Sequence, residues 1–219
     1  MVARTGSPSW AHERRVARLG YRCVAGLDEV GRGCLAGPVI VGAIVLRAGR
    51  GPAGINDSKL LTASRREALM RDILRSAEAW SIGTADAEEI DRINILNATR
   101  VAMGRAVEQL PVRPDHLLLD AVRLPDVPIS QTPLIRGDRL SISIAAASIV
   151  AKVVRDRVMR YYDRMFPGFG FAAHKGYATA EHLKAVALRG PSPIHRRTFH
   201  GVWRQGSFAF VEGGAVRES

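Results

Sequence analysis

The chain has 219 residues, 47% of them apolar, which is enough for one well-cored domain with an appendage and no reliance on disulfides. Its formal net charge of +11, carried overwhelmingly by arginine, suggests a polyanionic partner, because a field of that sign concentrates phosphates at the surface. Charge alone leaves nucleic acid and other anions open. Cys23 and Cys34 lack the spacing of a zinc site and read as small core residues, with no sign of an oxidising compartment. The N-terminal MVARTGSPSWAHERR has no apolar core of signal-peptide length, and no run approaches the ~20 uncharged apolar residues of a membrane span. A soluble cytoplasmic protein without membrane contact is expected.

In chain order, YRCVAGLDE and PVIVGAIVL read as strands, the second so continuously apolar that both of its faces should be buried. TASRREALMRDILRSAEAW predicts a helix with Thr62 or Ser64 as N-cap, and SIGTAD a short strand after it. AEEIDRINILNATRVAMGRAVEQL predicts one helix that stops at Pro111. HLLLD and TPLIRGD are short apolar runs, each ending in an aspartate. SISIAAASIVAKVVRDRVMRYYDRM predicts a long helix, alanine-rich at first and therefore closely packed. FPGFGFAAHKGY breaks the pattern with glycine and the aromatic cluster Phe166, Phe169 and Phe171, read as packing an extension onto the domain rather than stacking on bases. TAEHLKAVALRGPSP gives one more helix, and the last residues should fray. Strands alternating with helices indicate an α/β domain with a mixed sheet.

Acidic residues are a minority, and their placement is informative. Asp28 with Glu29, Asp120 and Asp138 each stand at or just past the end of an apolar strand-like run, where ligands of α/β folds gather. Any one could be a turn former, and Asp138 could be the N-cap of the SISI helix. Together they would repel one another unless a cation neutralises them, and oxygen ligands select Mg or Mn ions. Two such ions can orient water and stabilise a leaving oxygen in phosphodiester cleavage. Adjacent strand residues point to opposite faces, so the chain is expected to bend at Asp28 and Glu29, with Gly31 and Gly33 permitting the turn.

GLDEVGRGCLAGPVIVGAIVL, NDSKLLTASRRE, LLLD, IRGDRLSISIAAASIVAKVVRDRVM and HKGYATAEH together resemble bacterial ribonuclease HII, a type 2 ribonuclease H, in order from Gly26 to His182. The resemblance implies an RNase H-like mixed five-stranded sheet flanked by helices, with a C-terminal helical extension. The implied division is a tail over 1–18, a catalytic domain over 19–168, a substrate-binding extension over 169–204 and a disordered tail over 205–219. It implies endonucleolytic cleavage 5′ to a ribonucleotide in RNA/DNA hybrids and in duplex DNA with single ribonucleotides, leaving 3′-OH and 5′-phosphate ends. Mn or Mg ions, two per active site with substrate bound, would sit on Asp28, Glu29, Asp120 and Asp138. Gly31, Arg32 and Gly33 would read the ribose 2′-hydroxyl and flanking phosphate, and Tyr177 would pack at the RNA-to-DNA junction. Ala121 stands where many relatives have glycine, and Leu60 where a second lysine is common.

Lys59 and Lys152 are candidate phosphate contacts, although solvated lysines would look the same. His174 and His195 read as surface histidines rather than proton shuttles. Ribonuclease HIII is the rival enzyme, with a different turn after the carboxylates and an added N-terminal domain; a binding-only module would have no reason to keep repulsive acids beside phosphates. A monomer is expected, and the sequence offers no support for a sliding-clamp partner.

Overall fold

The computed structural model describes residues 7–47 and 49–202. Its centre is a five-stranded sheet in the order β3-β2-β1-β4-β5, built from β1 (Val24–Val30), β2 (Val39–Leu46), β3 (Ala77–Ala85), β4 (His116–Asp120) and β5 (Ser130–Leu134). The first three strands pair antiparallel, whereas β4 runs parallel to both β1 and β5. All eight residues of β2 are buried, as its unbroken apolar run requires.

Alternation along the strands divides the core in two. On one face Leu27, Val41, Ala43 and Val45 pack with Ile90, Ala98, Ala102 and Met103 from helices α3 (Ala87–Ile93) and α4 (Ile95–Glu108). On the other, Ile44 and Leu46 meet Leu69 and Ile73 of α2 (Ala63–Ser76) and the Ala145–Ala147 run of α5 (Ile142–Met165). Each fully buried Leu, Ile or Val side chain contributes about 1.5–3 kcal/mol. The alanines let the α5 backbone lie directly on the sheet. A Cβ at Gly42 would come within 2.7 Å of the Ala147 carbonyl oxygen.

Two helices differ from the sequence expectation. The segment Ala77–Trp80 pairs with Leu46–Ile44 and belongs to β3, because the open edge of β2 offers hydrogen bonds that outweigh helical propensity. Asn94, at φ +65°, splits the single predicted helix into α3 and α4, and its side chain caps α4 by accepting from the Leu96 and Asn97 amides. Thr62 caps α2, accepting from the Arg65 amide.

The segment assigned to a tail over 1–18 includes α1 (Ala11–Arg18). Buried Glu13 of α1 accepts from the Ser141 hydroxyl (2.6 Å) and the Ser143 amide (2.9 Å), placing a carboxylate at the positive end of α5. Beyond α5, the short helix α6 (Phe171–His174) and α7 (Ala180–Arg189) form the C-terminal extension. Phe171 is fully buried against Met159 and Ala36, with Phe166 and Phe169 beside it, so this cluster is packing. His195 is buried rather than on the surface, its Nε2 3.0 Å from Nε2 of His182, because the aromatic cluster and α7 close over it. No described helix is long and apolar enough to cross a membrane. The expected disordered segment 205–219 lies outside the described residues.

Candidate active site

The ladder between β1 and β4 ends at the Leu27–Leu119 pair, and Asp28 and Asp120 are the next residues on the two strands. They border the opening at the carboxyl ends of parallel strands, where the sheet changes from antiparallel to parallel pairing. The expected bend at Asp28 and Glu29 is absent. Pairing with β2 continues in register through Asp28–Gly42, Glu29–Val41 and Val30–Ile40. The reason is that β4 has already ended, so side chains from both faces of β1 border one unpaired edge; the chain turns only at Gly31, φ +102°.

Asp28 accepts from the Glu29 amide (2.8 Å) and is hydrogen-bonded by the Ser148 hydroxyl of α5. Asp120 accepts from the Gly137 amide (2.8 Å), which ties it to the 3-10 turn Gly137–Arg139 that carries Asp138. Asp138 is not the cap of α5. That role falls to Ser141, which accepts from the Ile144 amide. Burial first, then the charges of Glu29 and Asp120, push the Asp28 carboxyl well above the usual carboxylate range. Burial likewise raises Glu29 against the pull of Arg32, and burial with Asp120 raises Asp138 against the pull of Lys59. Asp28, Glu29 and Asp138 are thus each pushed toward their neutral form, and the charge of Asp120 acts on all three. Among the described residues no three His, Cys, Asp or Glu side chains stand close enough together to hold a metal ion as they are placed. Glu29 Oε1 lies 3.2 Å from the Arg32 guanidinium, and its Oε2 is buried without a hydrogen-bond partner. An orphaned carboxylate oxygen in a cluster of mutually repelling acids fits an all-oxygen site for a hard cation.

The Gly31–Gly33 turn and Tyr177 are brought together. The Leu35 amide donates to the Gly176 carbonyl (2.8 Å), and the Tyr177 hydroxyl is hydrogen-bonded with the buried Cys34 thiol. Arg155 of α5 donates to both the Pro38 and Lys175 carbonyls, joining the two loops from below. Tyr177 remains 44% exposed, so a ring face is available to a ligand. A Cβ at Gly31 would lie 2.2 Å from Arg155 Nε, whereas one at Gly33 would meet nothing within 4 Å.

The lysines separate. Lys59 is well exposed, its Nζ 3.8 Å from Asp138 Oδ2 on the rim of the acidic group. Lys152 lies one helical turn beyond Ser148 but its ammonium is 2.8 Å from Asp156 Oδ1, so its charge is already paired. Several contributors had no sequence signal: Ser148 on Asp28, the Arg139–Asp57 pair (2.9 Å) that pins the Asp138 turn to the NDSK loop, and the buried arginines. Ser148 sits in an alanine run that reads only as core.

The mixed sheet thus carries Asp28 and Asp120 at the open ends of its central strands beside an arginine-bearing turn, and the comparisons with known proteins give this arrangement its class. The family model for ribonuclease HII matches residues 25–202. Ribonuclease HII of Geobacter sulfurreducens is 54% identical over 193 residues, covering 88% of this chain and 89% of the relative. Ribonuclease H2 from Pyrococcus horikoshii OT3 superposes with a TM-score of 0.72 at 24% identity, covering 83% of this chain and 95% of that one. Bst-RNase HIII in complex with Mn2+ superposes at 0.65 with 19% identity, covering 82% and 68%. At these identities the solved structures speak for the fold alone. The chain belongs to the ribonuclease HII family and is a ribonuclease H, an endonuclease among the nuclease hydrolases.

Proposed function

We propose that Asp28, Glu29, Asp120 and Asp138 hold two Mn or Mg ions, and that Gly31, Arg32, Gly33 and Tyr177 select a ribose beside them. The enzyme then hydrolyses the phosphodiester 5′ to a ribonucleotide in RNA/DNA hybrids and in duplex DNA with single ribonucleotides, leaving 3′-OH and 5′-phosphate ends. The observation that carries the reading is the raised proton affinity of Asp28, Glu29 and Asp138, pushed up by burial and by neighbouring acids, with one partnerless oxygen on Glu29. When bound, the metal ions supply charge neutralisation and an activated water for phosphodiester cleavage. The protein's own contribution is to fix the acids: Ser148 orients Asp28, the Gly137 amide orients Asp120, and Arg32 draws on Glu29. The Mn2+ complex of Bst-RNase HIII supports a divalent ion on this fold.

Residues 169–204 serve as a substrate-binding extension around Tyr177, the enzyme acts as a monomer, and its place is the cytoplasm where ribonucleotides are removed and primers degraded. Lys59 reaches a phosphate from the rim, while Lys152 contributes through its pairing with Asp156. The test compares nicking of a one-ribonucleotide duplex, a long hybrid and an all-DNA duplex, each with Mn2+, with Mg2+ and with chelator. Cleavage is expected only with ribose and metal together, at the 5′ side of the ribonucleotide. Metal-independent cleavage, or equal cleavage of all-DNA duplex, would sink the reading.

A further inference from the structure

Arg155 and Arg196 are both fully buried, and among the described residues neither is hydrogen-bonded to a carboxylate. A buried guanidinium ordinarily takes an acid as partner, because an unpaired charge is costly to remove from water. Here backbone carbonyls take that place. Arg196 donates from Nε to Gly37 (3.1 Å), from Nη1 to Arg32 (2.8 Å), and from Nη2 to Gly31 (2.7 Å) and Gly37 (2.8 Å). Arg155 donates to the carbonyls of Pro38 (3.0 Å), Lys175 (2.8 Å) and Ala36 (3.1 Å).

A trans peptide directs its N–H away from its C=O, and no described peptide is cis. With the Gly31 and Arg32 carbonyls turned inward onto Arg196, the amides of Arg32 and Gly33 must face outward. Neither amide donates to a protein group among the described residues, and the space beside Gly33 is open. Successive outward amides over a buried cation make an anion- and hydroxyl-binding concavity.

We propose that Arg196 is a positioning residue for ribose recognition: its fork orients the Arg32 and Gly33 amides toward the sugar, and the Arg155–Arg196 pair supplies buried positive charge whose counter-ion is the adjacent substrate phosphate. The proposal rests on the reading of the Gly31–Gly33 turn as the ribose site. Burial lowers Arg196 to about 10, which leaves it protonated at neutral pH. Lysine could keep the charge but not the fork, since a point charge with rotatable donors cannot hold three carbonyls in fixed geometry.

The experiment measures metal-free affinity for a one-ribonucleotide duplex and for the same sequence in all DNA, with the parent, Arg196→Lys and Arg196→Met, each checked for folding by thermal melting. The parent is expected to favour the ribonucleotide duplex. Arg196→Lys should lower that preference about tenfold or more while keeping the salt dependence of binding, because the hydrogen-bond geometry is lost and the charge is not. Arg196→Met should lose both. In the parent, the amide resonances of Arg32 and Gly33 should shift with the ribonucleotide duplex and far less with all-DNA, a readout that needs no variant to fold. A discriminating parent beside a folded Arg196→Lys that discriminates equally overturns this role alone, as do unmoved Arg32 and Gly33 resonances. A parent that binds both duplexes alike overturns the ribose reading and this role with it.

Discussion

Asp138 lies in a 3-10 turn and leaves the capping of α5 to Ser141, so replacing it with Asn costs no helix cap. Asp138→Asn should cut cleavage about a hundredfold or more by removing a charged ligand, and should raise the metal-free melting temperature by relieving repulsion from Asp120. Wild-type cleavage across a metal titration would remove Asp138 from the site. The two glycines of the turn should behave differently. Gly31→Val drives a side chain into the buried Arg155 and forces a β-branched residue to φ +102°, so both stability and activity should fall. Gly33→Ala meets open space, so its melting temperature should stay near the parent's while ribonucleotide-dependent cleavage drops; unchanged cleavage would clear Gly33 of substrate contact. Ala121 adopts φ +56°, a left-handed conformation that a Cβ strains and glycine adopts freely. Ala121→Gly should stabilise by about 1 kcal/mol, a rise of roughly 2–4 °C in melting temperature for a chain of this size.

Among the elements, the C-terminal extension is held by a neutral histidine relay. His195 Nδ1 accepts from the Ser192 amide (2.9 Å), which leaves its Nε2–H to donate to His182 Nε2, and His182 Nδ1–H to donate to the Tyr177 carbonyl (2.8 Å). Burial first, then His182, lowers His195 to about 4 from the ordinary 6.5. The sign follows from linkage: the depressed value means that this contribution to stability is full above the unfolded pKa near 6.5 and is lost as pH falls toward 4. The melting temperature of the parent should therefore drop between pH 7 and pH 4.5 more steeply than that of His195→Gln, and parallel curves would deny the relay this role. Nothing in the sequence marked these histidines as buried, since PSPIHRR reads as a polar loop and the aromatic lid that covers it comes from some 25 residues earlier. The strand that took Ala77–Trp80 from α2 was hidden for a similar reason: helical spacing is local, while the edge of β2 is supplied from afar.

For the whole molecule, the excess of arginine predicts binding that weakens steeply with salt, by ~0.9 in log-log slope per phosphate contact on duplex DNA. Lys59→Ala should make that slope shallower by about one contact in a metal-free titration. An unchanged slope would mean that Lys59 serves only to offset Asp138, 3.8 Å away. The sheet and the long helix were legible because the strand runs are short and apolar, with Asp120 closing β4, and because α5 keeps helical spacing over 24 residues. The support behind the candidate site was not. Ser148 is hidden in an alanine run, and Arg155 and Arg196 look like any solvated arginine in a chain of net charge +11. Hydrogen bonds to backbone carbonyls carry no residue-type signature on the accepting side, so no pairing rule could have found them.

Helix α5 touches each part of this machinery in turn: Ser143 at the Glu13 carboxylate, Ser148 at Asp28, Arg155 at the loops beneath the turn, and Met159 in the aromatic cluster. A helix advances about 1.5 Å and turns about 100° per residue, so the seven steps from Ser148 to Arg155 fix a separation of roughly 10 Å along its axis and two near-complete revolutions. On the site assignment proposed above, the same rod would set the distance between the acids at Asp28 and the turn at Gly31–Gly33. Loops can flex without altering that interval, and one residue inserted between the two marks would swing the second away from its partners. Under that proposal, the offset between cleavage and ribose would be a length stored in a single helix.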